Sequence, residues 1–425
     1  MISVELINTG SELLLGRTLN THSQWLARRF SDAGYTVTRQ TTVADTGEQI
    51  ENAVRESLAR ADIVVTTGGL GPTSDDLTRE RVARLLGRGL SEHAETLERL
   101  KEFFAKRKRV MPESTRVQAQ VPDGATVLRN DFGTAPGLGF VLDPNPLRPQ
   151  GARGLLAMLP GPPRELRPMF DAQLIPWLAS VGGAPEEWAC RNLRSSGLGE
   201  SLVEERVAPA LRTLFTKGLE IGYCAHVGQV DVRLSARGAG SSALVEEALT
   251  IVRELLGDAI FGEGDGSLEA ALVQTLKSAG KTVATAESCT GGGLSHRLTQ
   301  IAGVSEAFLG GVVAYSNAVK TQQLGVASML LQQHGAVSEP VAAAMAEGVR
   351  KALGADYGVA LTGIAGPGGG SAEKPVGTVF IAVAGPGRTR VIQRLNAYER
   401  ATFKEVSGTM ALDLLRAELA RDGGR

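Results

Sequence analysis

A polar cluster followed by three glycines, at residues 287–293, carries the clearest chemical pattern in the chain. It reads Glu-Ser-Cys-Thr-Gly-Gly-Gly, and a β-branched run ends just before it, at Ala286. The pattern predicts a strand, a tight turn and a helix. This would place the Ser288 hydroxyl and the Cys289 thiol near free backbone N–H groups, which favour an anion. Either group could then attack a carbonyl carbon, with N–H groups stabilising the oxyanion. The alternative is a glycine-rich turn that only packs a helix close to a strand.

A nucleophilic Ser288 needs a base, and the chain offers two candidates. Lys320 follows a predicted strand and can serve if burial lowers its pKa enough to leave it neutral near pH 7. His296 lies roughly two helical turns after Ser288, inside the predicted helix, and would point away from a hydroxyl at the helix start. Lys320 could equally be a surface lysine, and Cys289 could be a rival nucleophile or a small buried side chain.

Three further polar turns are predicted beside strand ends, at 314–320, 361–370 and 374–378. The first two follow predicted strands, and the third precedes one. Open α/β sheets build ligand sites where such turns meet, so we expect these turns to surround Ser288. No Gly-Lys-Ser or Gly-Lys-Thr follows the glycines at 291–293, which excludes a Walker-type nucleoside triphosphatase.

The order of strand and helix patterns predicts what holds these turns in place. Strands and helices alternate over residues 3–86, which argues for a parallel sheet covered on both faces. A small α+β pattern follows over 188–262, and then a second α/β pattern. We therefore predict an α/β protein with two three-layer α/β domains, over residues 1–172 and 267–425. A small α+β module over residues 173–262 joins them.

Composition restricts the class of partner. The 45 Lys and Arg residues nearly balance the 46 Asp and Glu residues, and aromatic residues make up only 4%, so we expect no direct nucleic-acid binding. Three cysteines are too few for a disulfide framework or a Cys-rich metal site. The N-terminus reads as a strand rather than a signal peptide, and no apolar run reaches about 18 residues. We expect a soluble, cytoplasmic protein that does not contact membranes.

The four C-terminal motifs, at 286–292, 315–320, 362–367 and 374–378, resemble those of the nicotinamide mononucleotide deamidase domain. This domain forms the C-terminal half of the CinA family of competence/damage-inducible proteins. The resemblance implies hydrolysis of the amide of nicotinamide mononucleotide to nicotinate mononucleotide and ammonia, without a cofactor.

The same resemblance implies roles for individual residues. Ser288 would be the nucleophile, Lys320 its partner in a Ser–Lys dyad, and Tyr315 would orient the lysine or stack near the pyridine ring. N–H groups of the turn around 290–292 would hold the oxyanion, and the 362–370 turn would bind the ribose phosphate. The family usually has a Gly-Asp-Arg turn near the C-terminus, whereas this chain has Asn-Ala-Tyr-Glu-Arg, so Arg400 fits a phosphate-binding role better than Lys404 does. The residues implied in substrate binding are Glu287, Thr290, Gly291, Gly292, Thr362, Gly363, Gly366, Gly368 and Arg400.

The N-terminal part of the chain has its own polar turns, at 9–16, 66–76 and 159–165. The glycines at 68–71 offer backbone N–H groups to a phosphate, and the carboxylates beside them suggest a hard cation such as Mg²⁺. Alternatively, Asp75 and Asp76 only cap a helix predicted over 77–86.

These turns are similar to those of a domain shared by molybdopterin-binding proteins and the N-terminal half of CinA, over roughly residues 1–170. The resemblance implies an ADP-ribose pyrophosphatase that gives AMP and ribose 5-phosphate and depends on a divalent cation (Mg, Mn or Co). Asp76 and Glu12 would hold metal or water, and Gly69, Gly71 and Ser74 would hold the diphosphate.

The resemblance also implies a homodimer and likens the middle module to a KH domain. The sequence Gly197-Leu-Gly-Glu lacks the Gly-x-x-Gly clamp of nucleic-acid-binding KH domains, so a spacer or dimer contact is expected there. Two other functions remain open. One is a pterin-binding module for cofactor assembly, and the other is a non-enzymatic adaptor in DNA uptake or repair.

Overall fold

The computed structural model describes residues 2–183, 185 and 187–423 of the chain. Contacts between Cα atoms divide the protein into two compact units, residues 1–188 and 189–425. The predicted three-part division stays a prediction. Within the described ranges, neither unit has a helix whose length and apolar character would let it cross a membrane.

The first unit is built on a six-stranded sheet, with a two-stranded sheet beside it. Its strands are β1 (Ser3–Thr9), β2 (Thr36–Val43), β3 (Ile63–Thr67), β4 (Leu90–Glu92), β5 (Gln120–Pro122), β6 (Thr126–Leu128), β7 (Gly137–Leu142) and β8 (Gly154–Leu159). Its helices are α1 (Ser11–Leu14), α2 (Thr21–Asp32), α3 (Gly47–Leu58), α4 (Thr78–Leu85), α5 (Ala94–Lys106), α6 (Pro163–Met169) and α7 (Ile175–Ser180). A π-helical turn, Phe170–Leu174, joins α6 to α7.

The six strands lie in the order β2-β1-β3-β8-β7-β6. The first four are parallel, which confirms the arrangement predicted from residues 3–86. Strands β7 and β6 run antiparallel to their neighbours. A parallel connection needs a crossover of a dozen or more residues, usually a helix, whereas β7 and β8 are joined by a loop without an α-helix.

Helices cover both faces of this sheet. Leu26 and Phe30 of α2 pack on one face together with Phe170, whose ring meets that of Phe30 edge to face with centroids 4.9 Å apart. Ile50 and Val54 of α3 pack on the other face. The unit therefore has three layers, as predicted.

The second unit contains a four-stranded and a five-stranded sheet. Its strands are β9 (Trp188–Ser196), β10 (Glu220–His226), β11 (Gln229–Arg237), β12 (Ile260–Glu263), β13 (Val283–Glu287), β14 (Phe308–Val313), β15 (Tyr357–Gly363), β16 (Thr378–Gly385) and β17 (Arg388–Leu395). Its helices are α8 (Glu200–Val207), α9 (Arg212–Phe215), α10 (Ser241–Leu256), α11 (Leu268–Ser278), α12 (Gly293–Thr299), α13 (Asn317–Leu324), α14 (Ser328–His334), α15 (Glu339–Leu353) and α16 (Arg400–Gly423).

Strand order is β10-β11-β9-β12 in the smaller sheet and β14-β13-β15-β16-β17 in the larger one. In the larger sheet β14, β13 and β15 are parallel, and β16 and β17 reverse direction in turn. Leu272, Phe403 and Leu415 from α11 and α16 pack on one face, and Val341 and Met345 from α15 pack on the other. This domain is also three-layered, so the predicted α/β class is confirmed.

Candidate active site

The Ser288 hydroxyl and the Lys320 amine meet at the carboxyl edge of the five-stranded sheet. Ser288 directly follows β13, a buried strand between β14 and β15, and its N–H donates to the Leu361 carbonyl of β15 at 3.0 Å. Lys320 lies in α13, whose first turn is capped by the Ser316 hydroxyl. The Lys320 Nζ donates to Ser288 Oγ at 3.2 Å. The two side chains that the sequence singled out as nucleophile and base are therefore in contact.

Lys320 is buried without a carboxylate partner in the described part of the chain. Its side chain is 1% exposed, and Nζ also donates to the carbonyl oxygens of Ala314 at 2.7 Å and Tyr315 at 3.5 Å. Loss of hydration lowers the pKa of Lys320 from its ordinary value of 10.5, against a smaller opposing effect of Cys289. A neutral amine has two N–H donors for the two carbonyls, which leaves its lone pair free to accept the Ser288 proton.

The neighbouring thiol has the opposite environment. Cys289 is 6% exposed, and burial raises its pKa to about 12, although nearby backbone N–H groups offset part of the rise. A thiol with such a pKa stays protonated near pH 7, and the protonated form is a poor nucleophile. Ser288 is therefore the better-activated group of the two.

Glu287 fixes the shape of the turn. Its carboxylate accepts hydrogen bonds from the N–H groups of Gly292 and Leu294, both at 3.0 Å, and from the N–H and hydroxyl of Ser295, at 2.7 and 2.6 Å. The side chain is fully buried, so these bonds anchor the start of α12 from below. The structure thus puts Glu287, which was predicted to bind substrate, beneath the turn rather than on its exposed side.

Most backbone N–H groups of the turn are already engaged. That of Gly291 donates to the Ser288 carbonyl at 3.2 Å, and that of Gly293 to the Thr290 carbonyl at 3.3 Å. Among the described residues, the N–H groups of Cys289 and Thr290 have no oxygen acceptor. The predicted donors to a substrate oxygen were the N–H groups around 290–292. The structure leaves the N–H groups of Cys289 and Thr290 for this role, so only Thr290 belongs to both sets.

Arg400 links two turns at the opening of the site. Its guanidinium donates to the Gly366 carbonyl at 2.8 Å and to the Tyr315 hydroxyl at 3.1 Å. Tyr315 is 64% exposed, and its hydrogen bond with Lys320 is accepted by its backbone carbonyl. The phenol therefore lies beside the predicted phosphate-binding residue rather than beside the lysine.

Lys404 follows Arg400 by one helical turn and lies over the serine turn. Its Nζ is 3.8 Å from the position that a Cβ on Gly291 would occupy. Residues i and i+4 share one face of a helix, so α16 presents two cations toward the site. The sequence predicts a weaker phosphate-binding role for Lys404 than for Arg400.

The remaining predicted residues of this half shape the wall behind the site. Thr362 is buried and donates to the Ala336 carbonyl at 2.7 Å. Gly363 and Gly366 leave no room for a side chain, because a Cβ would lie 2.7 Å from the Thr378 oxygen and 2.7 Å from Val376 respectively. Gly368 is exposed and open.

In the first unit, the predicted diphosphate and metal residues follow β1 and β3. A Cβ on Gly69 would lie 2.1 Å from the Thr78 hydroxyl, and one on Gly71 would lie 2.3 Å from the Asp76 carboxylate. Asp76 accepts the Thr73 N–H at 3.0 Å, so it closes the turn at 73–76. Leu77, without a side-chain hydrogen bond, occupies the cap position of α4, so the alternative helix-cap role is not observed. Ser74 is exposed in this turn.

A divalent cation was predicted beside Asp76 and Glu12. In residues 2–183, 185 and 187–423, no three His, Cys, Asp or Glu side chains come close enough together to hold a metal ion. Glu12 is exposed and folds against Gly10, with a carboxylate oxygen 2.8 Å from where a Cβ would lie. Mg²⁺ is often held by one or two carboxylates plus substrate phosphates, and the residues fit that kind of site.

Sequence reasoning missed several residues that complete this edge of the first unit. His22 hydrogen-bonds the Gly161 carbonyl at 2.5 Å, and burial lowers the pKa of its ring. Asn130 donates to the Glu165 carboxylate at 2.8 Å, and Gly133 lies directly over that carboxylate. The Asn-Asp-Phe-Gly sequence at 130–133 is a turn pattern that could have drawn attention to this loop.

The fold and the sites define an α/β protein of two units. Polar turns gather at the carboxyl ends of parallel strands, and in one unit a buried lysine contacts a half-buried serine. Three family models match the chain in order: "Probable molybdopterin binding domain" over residues 5–180, "Damage-inducible protein CinA KH domain" over 190–262, and "CinA C-terminal domain" over 265–419. The chain belongs to the CinA family. The predicted resemblance is thereby confirmed.

Relatives match over nearly the full length. A CinA-like protein of Anaeromyxobacter sp. (strain Fw109-5) is 42% identical over 419 residues, which cover 98% of this chain and 99% of the relative. A CinA-like protein of Akkermansia muciniphila is 44% identical over 413 residues, covering 97% and 96%. The crystal structure of the competence/damage inducible protein CihA from Agrobacterium tumefaciens is 41% identical, covers 35% of this chain and 92% of that one, and has a TM-score of 0.35.

Proposed function

We propose that the second unit hydrolyses the carboxamide of nicotinamide mononucleotide to nicotinate mononucleotide and ammonia. The contact between Lys320 Nζ and Ser288 Oγ, at 3.2 Å, carries the proposal, because this lysine is buried without a carboxylate partner among the described residues. A buried amine that touches a hydroxyl, and whose pKa is lowered by loss of hydration, is the arrangement that a Ser–Lys amidohydrolase requires.

Acylation needs one proton transfer to the lysine and one from it. Ser288 Oγ bonds to the amide carbon while its proton moves to Lys320 Nζ, and the carbonyl oxygen becomes an oxyanion. The N–H groups of Cys289 and Thr290, which lie near the Cys289 sulfur and have no oxygen acceptor among the described residues, are the donors available to that oxyanion. When the C–N bond breaks, the lysine returns the proton to the leaving nitrogen, which departs as ammonia.

Deacylation repeats the same steps with water. Water attacks the ester carbon, Lys320 takes a water proton, and the C–O bond to Ser288 breaks as the serine oxygen regains a proton. Glu287 contributes by position alone: by anchoring the N–H groups of Gly292, Leu294 and Ser295 it holds the turn still while charge develops.

The nucleotide part of the substrate would be bound by the cations of α16. Arg400 and Lys404 face the site from successive turns of that helix, and a phosphate attracts both. The exposed glycines at 368–370 leave the adjacent turn open to a ribose phosphate. Tyr315, 64% exposed beside Arg400, offers an aromatic face to the pyridine ring.

Arg400→Gln tests the proposed function together with its phosphate contact. The wild-type protein is expected to release ammonia and nicotinate mononucleotide from nicotinamide mononucleotide. Arg400→Gln should raise KM about tenfold or more with little change in kcat, because a charge-assisted bond to the phosphate is lost. Ammonia release and chromatography of the nucleotide product give both constants.

Nicotinamide riboside, which lacks the phosphate, is the matched substrate for this variant. Arg400→Gln should leave its hydrolysis almost unchanged. An equal loss for both substrates would show that Arg400 supports the Gly366 turn instead of binding phosphate. Absence of ammonia release by the wild type would overturn the amidase proposal itself.

We further propose that the first unit hydrolyses ADP-ribose to AMP and ribose 5-phosphate. The observation that favours this is the glycine turn at 68–71, which closes against Asp76 and Thr78 and leaves backbone N–H groups beside a carboxylate. Asp76, with Glu12 as a second carboxylate, would hold a divalent cation. When bound, the cation would neutralise charge on the diphosphate and polarise the P–O bond that breaks.

Asp76→Asn tests this second activity, with Asp75→Asn as the control. The amide of Asp76→Asn keeps an oxygen for the Thr73 N–H but loses the charge that a cation needs. We expect it to lower AMP release about tenfold or more, whereas the exposed Asp75 should be replaceable. Chelation should stop AMP release by the wild type, and activity that survives chelator would remove the cation from the proposal. Binding of a pterin without AMP release would favour the cofactor-assembly alternative.

A further inference from the structure

A cavity separate from the Ser–Lys pair lies in the second unit. Its volume is about 650 Å³, within the ~300–1,000 Å³ typical of small-molecule sites. The turns at 197–199 and 228 form one wall, and β17, the loop at 396–398 and α16 form the other. We call this cavity the groove.

Hydrogen bonds fix the two walls to each other. Ser196 donates to Asp413 of α16 at 2.6 Å, and Arg416 donates to the Ile260 carbonyl of β12 at 3.4 Å. Gly228 approaches Thr409 so closely that a Cβ would lie 3.0 Å from its methyl group. The groove is therefore a built cavity with tied walls.

The charges of the groove do not cancel. Alternate residues of β17 share one face of the sheet, so Arg390 and Arg394 both point to the α16 side. Arg390 pairs with Glu418 at 3.0 Å, and Asp413 pairs with Arg416 at 2.8 Å. The guanidinium of Arg394 donates to the adjacent Gln393 carbonyl, and among the described residues no carboxylate pairs with it. One cation is left for an anionic ligand.

The rest of the lining is mainly apolar and partly aromatic. Leu198, Ile392, Met410 and Leu414 line the interior, and the ring of Tyr398 is 55% exposed at the opening. A flat ring system can stack on tyrosine and on an arginine plane. A ligand with one anionic end and a flat apolar body matches this lining.

We propose that the groove binds a mononucleotide, with its phosphate on Arg394 and its base against Tyr398, and that occupancy alters the proposed amidase site. The regulatory part rests on the proposed amidase function, whereas the binding part does not. Asn396, in the groove wall, donates from its N–H to the Gly377 carbonyl at 2.8 Å, and the Gly377 N–H donates to Ile364 at 2.8 Å. The same loop leads directly into Arg400, so both the 364–370 turn and Arg400 are coupled to the groove.

Hydrogen–deuterium exchange of the full-length protein with AMP locates the binding. AMP should slow exchange in peptides covering 196–199 and 394–399, and uncharged adenosine should do so far less. Arg394→Gln should weaken this protection at least about fivefold in AMP concentration, since a charge-assisted contact is removed. Arg212→Gln, an exposed arginine of α9 outside the groove, is the matched control and should behave as wild type.

Activity supplies the second measurement. AMP should shift KM for nicotinamide mononucleotide in the wild type and not in Arg394→Gln, whose activity without AMP should equal that of the wild type. Protection confined to other peptides, or unchanged in Arg394→Gln, would overturn the binding proposal whether or not the protein is an amidase. Protection at the groove with no shift in KM would overturn the regulatory part alone.

Discussion

Ser288→Ala is expected to abolish amide hydrolysis, with kcat/KM falling on the order of 10³-fold or more, because the proposed acyl intermediate forms on the Ser288 oxygen. Cys289→Ala should keep most of the activity. The hydroxyl of Ser288 touches the Lys320 amine at 3.2 Å, whereas burial raises the pKa of the Cys289 thiol to about 12 and keeps it protonated. Ammonia release from nicotinamide mononucleotide measures both variants.

Two further measurements serve as controls for the comparison of Ser288→Ala with Cys289→Ala. Thermal unfolding of each variant shows whether the turn has kept its structure, since removal of a buried sulfur can leave a small cavity. A covalent adduct with an acylating inhibitor, located by mass spectrometry, should lie on residue 288. Full activity in Ser288→Ala together with loss in Cys289→Ala would make the thiol the nucleophile and would refute the Ser–Lys mechanism.

Lys320→Met should lower kcat about 10²–10⁴-fold, the range expected when a general acid–base group is lost. Methionine keeps much of the apolar stem, so the variant should fold. Because burial lowers the pKa of Lys320, the neutral base appears as pH rises through a value below 10.5. The wild-type rate should therefore increase with pH and reach a plateau below the ordinary lysine pKa. The residual activity of Lys320→Met should not show this increase.

Stability gives an independent check on the same lysine. A lysine whose pKa is lower in the folded protein binds fewer protons there than in the unfolded chain between the two pKa values. The wild type should thus lose stability relative to Lys320→Met as pH falls from about 10.5 through the folded pKa, and the difference should be constant below it. Lys351→Met, at an exposed lysine of α15, is the control and should show no such trend. A pH-independent difference between wild type and Lys320→Met would mean that Lys320 is charged in the folded protein.

The contact of the serine with the lysine followed from strand patterns, but its details did not. Polar turns after β13 and before α13 could be expected at one sheet edge, because parallel strands end on the same side. The helix that carries Lys320 was harder to foresee, since its buried residues are only Lys320 itself and Leu324. An apolar stripe is what periodicity detects, and α13 has hardly any.

The role of Glu287 could not be read from the sequence for a different reason. A glutamate beside a nucleophile is equally compatible with contacting substrate and with binding backbone N–H groups. The choice depends on how the chain turns at Gly291 and Gly292, whose φ angles are 63° and 95°, and glycines allow several such turns. Every residue except proline has a backbone N–H group, so the sequence does not show which of these groups lack an acceptor. The structure was needed to identify those of Cys289 and Thr290.

The reversal of chain direction at β16 decides which part of the C-terminal segment can take part in the site. Strand β16 starts at the edge where β13 and β15 end, and β17 then returns to that edge, as Thr378 pairs with Leu395. If β16 ran parallel to β15 and β17 still ran antiparallel to β16, β17 would end at the opposite edge of the sheet and the last helix would begin there. The β16–β17 hairpin thus places Arg400 and Lys404 beside Ser288, although they follow it by more than a hundred residues in the sequence. An odd number of antiparallel strands added or removed after β15 would place Arg400 and Lys404 at the opposite edge of the sheet.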